Sequence, residues 1–215
     1  MPKINQERAK EWMNSISSKD KIAIITDHDP DGFTSGTLFF DFCKSKNAKV
    51  KQFTYTRGIT DNDKLDLKEF NKIITTDIAA SQIKGLLEKY QNKEVLYMDH
   101  HPEDAALPKS INEYRTLDRG YIPSARSAYE LTGGKKWIAL VGTVSDAGEK
   151  YKENKDFVKE FLEELGIKLG EFREKILFPI SNTIICLNDE PKKAFSIIQN
   201  LKDPKDLSSL KEYQK

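Results

Sequence analysis

Apolar residues recur along this chain in two rhythms that take turns. Ile4, Ala9, Trp12, Met13 and Ile16 fall close to one helical face, and residues 21–26 then make a compact run with the character of a buried strand. The same alternation continues downstream. Residues 33–46 predict a helix, 50–55 a strand, KIITT at 72–76 a strand that stops on Asp77, 81–90 a helix, and 94–98 a strand that runs into Asp99, His100 and His101. Helices alternating with short apolar strands predict an α/β layered domain with a mainly parallel sheet flanked by helices, whose ligands gather at the carboxyl ends of the strands.

Residues 102–121 lack either rhythm. A helix is expected over 124–131, stopped by Gly133 and Gly134, and the apolar run 136–144 reads as a further strand-like segment that delivers Asp146. From Tyr151 onward the pattern is helical throughout, with Pro179 interrupting one helix and Pro191 opening the next. Residues 1–200 therefore read as one domain with a helical carboxyl-terminal part over 151–200, and the lysine-rich 201–215 as a linker-like or frayed tail.

Composition narrows the picture in three ways. Of 215 residues, 35 are Lys or Arg and 34 Asp or Glu, and a net charge of +1 excludes the global basic field of many nucleic-acid binders. Two cysteines, Cys43 and Cys186, are too few and too far apart for a disulfide framework or a zinc knuckle, which suits a reducing compartment. The amino terminus lacks a signal-peptide core and no apolar run approaches the roughly 18 residues of a membrane span, so a soluble cytoplasmic protein is expected.

The polar residues at the strand ends carry the chemistry. All three histidines lie in acidic clusters, DHDPDG at 27–32 and Asp99-His100-His101. The first cluster looks like a calcium loop, but a strand enters it and loop position 12 is Leu38 rather than Glu. A haloacid-dehalogenase-type aspartyl nucleophile would leave the second cluster without a task. A structural reading, with Asp31 or Thr34 capping a helix that starts near Phe33, uses one acid of three. Three carboxylates within five residues repel one another unless a cation neutralises them, so metal ligation is favoured. Asp77 and Asp146 add two more hard ligands, and a set without thiolate suits manganese or magnesium over structural zinc.

In order and approximate spacing, DHDPDG, Asp77, Asp99-His100-His101 and Asp146 in GTVSDAG resemble the four motifs of the DHH phosphoesterases, over residues 21 to about 150. That superfamily includes RecJ-type exonucleases, oligoribonucleases, cyclic-dinucleotide phosphodiesterases and manganese pyrophosphatases. The resemblance implies two Mn2+ or Mg2+ ions, with Asp27 and Asp29 on one, Asp31, His100 and Asp146 on the other, and Asp77 bridging. It implies that His101 contacts the scissile phosphate and that Asp99 orients the histidines from behind. Arg126, ahead of a helix near the site, is a candidate phosphate contact, its alternative being an ordinary helix arginine; Arg57, Arg115, Arg119, Lys135 and Lys136 are weaker candidates for a phosphate track.

The implied activity is hydrolysis of single-stranded DNA or RNA, or of short oligonucleotides, by metal-activated water. Two other readings stay open: a phosphatase or phosphodiesterase of small nucleotides such as 3′-phosphoadenosine 5′-phosphate or cyclic dinucleotides, and a non-catalytic replication scaffold of the same fold. The chain departs from the family after residue 150, where nothing matches the glycine-rich substrate-binding domain (DHHA1) and no histidine occurs. That points to a missing domain, a homodimer, or a replication or repair partner that completes the site.

Overall fold

The computed structural model describes residues 3–55, 65–204, 206, 207 and 210. Arg57, one of the phosphate-track candidates, lies outside them. The order is α1 (Gln6–Asn14), β1 (Lys21–Asp27), α2 (Pro30–Ser45), β2 (Lys49–Tyr55), β3 (Lys72–Thr76), α3 (Ala80–Lys89), β4 (Glu94–Asp99) and β5 (Asn112–Arg115). The second half is helical: α4 (Ser124–Thr132), α5 (Lys136–Ser145), α6 (Lys155–Leu165), α7 (Leu169–Phe172), α8 (Phe178–Cys186) and α9 (Pro191–Asn200).

The five strands form one parallel sheet in the order β2-β1-β3-β4-β5. Period-2 alternation divides its side chains between two cores. Ile22, Ile24, Ile74, Leu96 and Met98 face α2, α4, α5 and the later helices, whereas Ala23, Ile25, Ile73, Val95 and Tyr97 face α3. Both faces are covered, which is why β1 and β3 read as unbroken apolar runs. Each fully buried isoleucine contributes roughly 1.5–3 kcal/mol, so truncating Ile24 alone, at about 2–5 kcal/mol, would remove much of a typical domain's margin.

The strand order reverses at β1. The chain leaves β1 through α2 to β2 on one side and returns to β3 on the other, which opens a crevice between the carboxyl ends of β1 and β3. Asp27 ends β1 and Asp77 follows β3, so the topology itself brings them to one edge.

Four expectations need correction. Residues 136–144 are not a strand: they lie in α5, and Asp146 caps the end of that helix. Trp137 to Val144 are all buried, so the run shows no amphipathic period, and a fully buried helix cannot be told from a buried strand by pattern. The stretch 102–121 holds a fifth strand, β5, too short and polar (NEYR) to stand out. The tail from residue 201 packs at Leu201, Leu207 and Leu210, all in the larger core. Pro179 does not break its helix. It sits in the first turn of α8, and a π turn, Arg173–Leu177, joins α7 to α8 ahead of it. None of the described helices is long and apolar enough to cross a membrane.

Candidate metal centre

The loop after β1 is built by its own acids. Helix α2 begins at Pro30, three residues earlier than the pattern predicts, because Asp29 is the N-cap and accepts from the Gly32 amide at 2.8 Å. Capping thus falls to Asp29 rather than to Asp31 or Thr34. Asp27 turns back and accepts from the His28 amide at 2.8 Å. Gly32 is required by close approach, since a Cβ there would stand 2.6 Å from the Asp27 carbonyl oxygen.

Asp31, released from capping its own helix, caps another. Its Oδ2 accepts from the Ser124 amide at 2.7 Å and its Oδ1 from the Ala125 amide at 2.9 Å. Those are the first amides of α4, whose N-cap, Pro123, supplies no side-chain oxygen. Asp77 leaves β3 in the left-handed region at φ 64°, a conformation that Asp and Asn tolerate better than other residues with a side chain. Its Oδ1 accepts from the Ser124 hydroxyl at 3.0 Å.

His100 is where these elements converge. Its Nε2 lies 3.1 Å from Asp77 Oδ1, 3.5 Å from Asp146 Oδ2 and 3.9 Å from Asp31 Oδ2. Ligand atoms of Asp31, His100 and Asp146 lie within 4.8 Å of one another, as do those of Asp77, His100 and His101. Asp31 and Asp77 are each 1% exposed and His100 5%. Burial pushes the Asp31 carboxyl well above the usual carboxylate range, helped by the charges of Asp146 and Asp29 and opposed by the two α4 amides. Asp77 is raised for the same first reason, and then by Asp31, Asp29, Asp99 and Asp146. Burial lowers the His100 imidazole against the pull of Asp146. Two buried carboxylates, a third that is partly exposed, and an imidazole whose pKa burial lowers make a donor set of hard and borderline ligands that a divalent cation would neutralise, and they fit one.

Behind this cluster His101 is held in a fixed pose. Its Nδ1 stands 2.8 Å from Asp99 Oδ1, and Asp99 Oδ2 accepts from Tyr97 at 2.9 Å. Arg115, 5% exposed, comes to 3.5 Å of Asp99, donates to the His101 carbonyl at 3.2 Å and pairs with Glu113 at 2.6 Å. Tyr121 donates to the Asp146 carboxylate, and burial, then that bond, raises its hydroxyl pKa.

A family model for the DHH family, N-terminal domain, matches residues 21–165. The chain belongs to the DHH family. Among solved structures, this DHH chain superposes over its full length on exonuclease RecJ bound to manganese, with TM-score 0.76 and 19% identity, and spans 66% of that chain. It likewise superposes in full on RecJ in complex with Mn2+ from Thermus thermophilus, with TM-score 0.72 and 18% identity, spanning 38% of it. CDC45 from Entamoeba histolytica matches over 78% of this chain and 39% of its own, with TM-score 0.55 and 14% identity. At these identities the likeness is one of fold. Among curated proteins, none matches the sequence.

The site residues expected from sequence divide into three sets. Asp31, Asp77, His100 and Asp146 converge, and His101 joins them. Asp27 and Asp29 stand on the adjoining loop, taken up by backbone amides, and belong to neither of the two ligand clusters found among the described residues. Arg126 does not face the centre: it donates to the Glu153 carbonyl, to Asn154 at 2.7 Å and to Glu130 at 3.1 Å, and lies over Phe157. The weaker candidates are also engaged, Arg119 with Glu130, Lys135 with Asp41 and Lys136 with Glu164. Sequence reasoning missed Ser124 and Tyr121. Only the proline before Ser124, marking a helix start that lacks a side-chain cap, hinted at either of them.

Proposed function

We propose that this DHH chain is a divalent-metal-dependent phosphodiesterase acting on single-stranded nucleic acid or short oligonucleotides. The observation that carries the reading is the convergence of the Asp31, Asp77 and Asp146 carboxylates, the first two buried, on His100 Nε2 at the reversal of strand order. Those four residues would hold one ion. Asp27 and Asp29, with Asp77 shared, would hold a second, Asp29 keeping one oxygen on Gly32. Manganese is the expected metal, with magnesium as substitute. Bound there, divalent ions supply an acidified water and offset charge on the phosphate oxygens.

The protein's own groups do the rest. His101, held by Asp99 through Nδ1, would present Nε2 to the phosphate and, as the imidazolium, donate from it to a phosphate oxygen as charge builds there. Arg115 compensates Asp99, so that the pair orients the ring and does not itself take up the proton. Because the chain spans only part of the RecJ chains it resembles, a further domain or partner would complete substrate binding.

The test is incubation of the purified chain with Mn2+ and a 5′-labelled single-stranded oligomer, beside Asp77→Asn. Shortened products from the parent only would support the reading. Calorimetric Mn2+ binding with the oligomer and a panel of small nucleotides all left intact would overturn it in favour of a scaffold.

A further inference from the structure

Beside the metal centre stands an aromatic pair whose inner ring, Tyr121, holds the Asp146 carboxylate and whose outer ring is Tyr151. Tyr121 meets the His100 ring edge-on with centroids 5.3 Å apart, and Tyr151 stacks on Tyr121 at 4.1 Å and 21°. Tyr151 is 43% exposed, one of four large exposed hydrophobic residues among those described. Tyr121 covers one of its faces, so the exposure belongs to the rest of the ring.

A buried polar framework fixes this pair in place. Asn154, fully buried, donates to the Tyr121 carbonyl and to the Gly148 carbonyl, each at 2.9 Å. It thereby ties the Tyr121 loop to the turn Gly148–Lys150 that leads into Tyr151. Arg126 holds Asn154 in turn through its Oδ1 at 2.7 Å. At Gly148 a Cβ would stand 2.6 Å from the Thr143 carbonyl oxygen, so the turn sits tight on α5. Burying an amide and a guanidinium costs free energy unless every bond is made. Here that framework holds an exposed ring, two ring contacts from His100.

We infer that Tyr151, backed by Tyr121, is a platform on which a nucleobase stacks while the attached phosphate sits at the metal centre. The inference rests on reading the centre as a phosphoester site. It makes the ligand a nucleotide, in preference to a pyrophosphate or a sugar phosphate, and it is tolerant of base identity because every base has a π face. A rigid, pre-stacked ring loses little conformational entropy when a base lands on it.

The test is calorimetric titration of the full chain in Mn2+ with AMP and with ribose 5-phosphate, for the parent, Tyr151→Ala and Tyr151→Phe. The parent should favour AMP by about tenfold, in line with base–aromatic stacking. Tyr151→Ala should bring the two ligands within about twofold by weakening AMP alone, and Tyr151→Phe should keep the preference. No preference in the parent, an unchanged preference in Tyr151→Ala, or equal loss of both ligands would overturn the platform. A base preference without oligomer cleavage would sink the hydrolase reading and leave the platform standing, and cleavage without base preference would do the reverse.

Discussion

His101 Nδ1 stands 2.8 Å from Asp99 Oδ1, two residues away on the same turn, and Asp99 is wholly buried. The bond fixes which ring nitrogen bears the proton, since an ionised carboxylate only accepts. Replacing Asp99 with Asn puts a donor within reach of that nitrogen and permits the wrong tautomer. Asp99→Asn should lower kcat about 10–100-fold, the usual cost of losing such an orienting partner, with KM nearly unchanged. Steady-state kinetics on a short oligomer checks it, and a change confined to KM would show that His101 is not held for catalysis.

Arg115 compensates that buried carboxylate. Truncation by Arg115→Met leaves Asp99 and Glu113 without their cation, and breaking one side of a buried pair costs about 3–5 kcal/mol. Denaturant melts should show a loss of that order. A loss under about 1 kcal/mol, the range of a solvent-exposed pair, would mean that water reaches Asp99 and does the same work.

The metal-free centre should make stability fall with rising pH. The folded-state pKa values of Asp31 and Asp77 lie above their unfolded values, so at intermediate pH the native state binds more protons than the unfolded one. Their unfavourable effect is absent below about pH 4, the unfolded carboxyl value, and grows as pH rises through the raised folded values. Mn2+ replaces the protons, so its stabilising effect should grow over the same window. Tm with and without Mn2+ from about pH 5 to 8 tests this. Asp77→Asn, which keeps a residue tolerant of the φ of 64°, should raise the metal-free Tm and erase most of the Mn2+ increment. A Mn2+ increment that is flat with pH, or intact in Asp77→Asn, would refute the assignment.

Much of this was legible in the sequence because it rests on local rules. The strands β1, β3 and β4 bury both faces, so apolar runs mark them and their last residues mark the site. Asp146 was legible as a ligand but not in its setting, since α5 is buried all round and carries no amphipathic period. Asp31 and Asp29 exchanged capping and non-capping roles because the partner of Asp31 is α4, more than 90 residues away, and no local pattern encodes that bond. Arg126 stayed open between an anion contact and an ordinary helix arginine for the same reason: Glu130, Glu153 and Asn154 become its neighbours only when the chain folds.

The setting of Arg126 gives a prediction opposite to the one a phosphate contact would give. Arg126→Lys cannot reproduce a fork reaching Glu130, Glu153 and Asn154 together. It should cost about 1–3 kcal/mol of stability through the unsatisfied Asn154 and the Glu153 carbonyl, while the affinity for inorganic phosphate stays within about twofold. Phosphate titration beside a denaturant melt separates the two, and a selective loss of phosphate affinity would restore Arg126 to the site.

Gly142 joins packing to chemistry at one atom. A Cβ there would collide with the Ala125 Cβ and the Thr34 hydroxyl, and would lie 2.6 Å from Asp31 Oδ1. These belong to α4 and α2, against which α5 packs, so the glycine lets three helices close on the carboxylate that caps α4. Alanine favours helix, and in an exposed helix the change would stabilise by up to ~1 kcal/mol. Here overpacking reverses the sign, to a loss of about 1–3 kcal/mol. The displaced Asp31 should also weaken Mn2+ binding by roughly tenfold or more. If Gly142→Ala melts like the parent and binds Mn2+ equally well, the helices have room to part and Asp31 is not fixed by their packing.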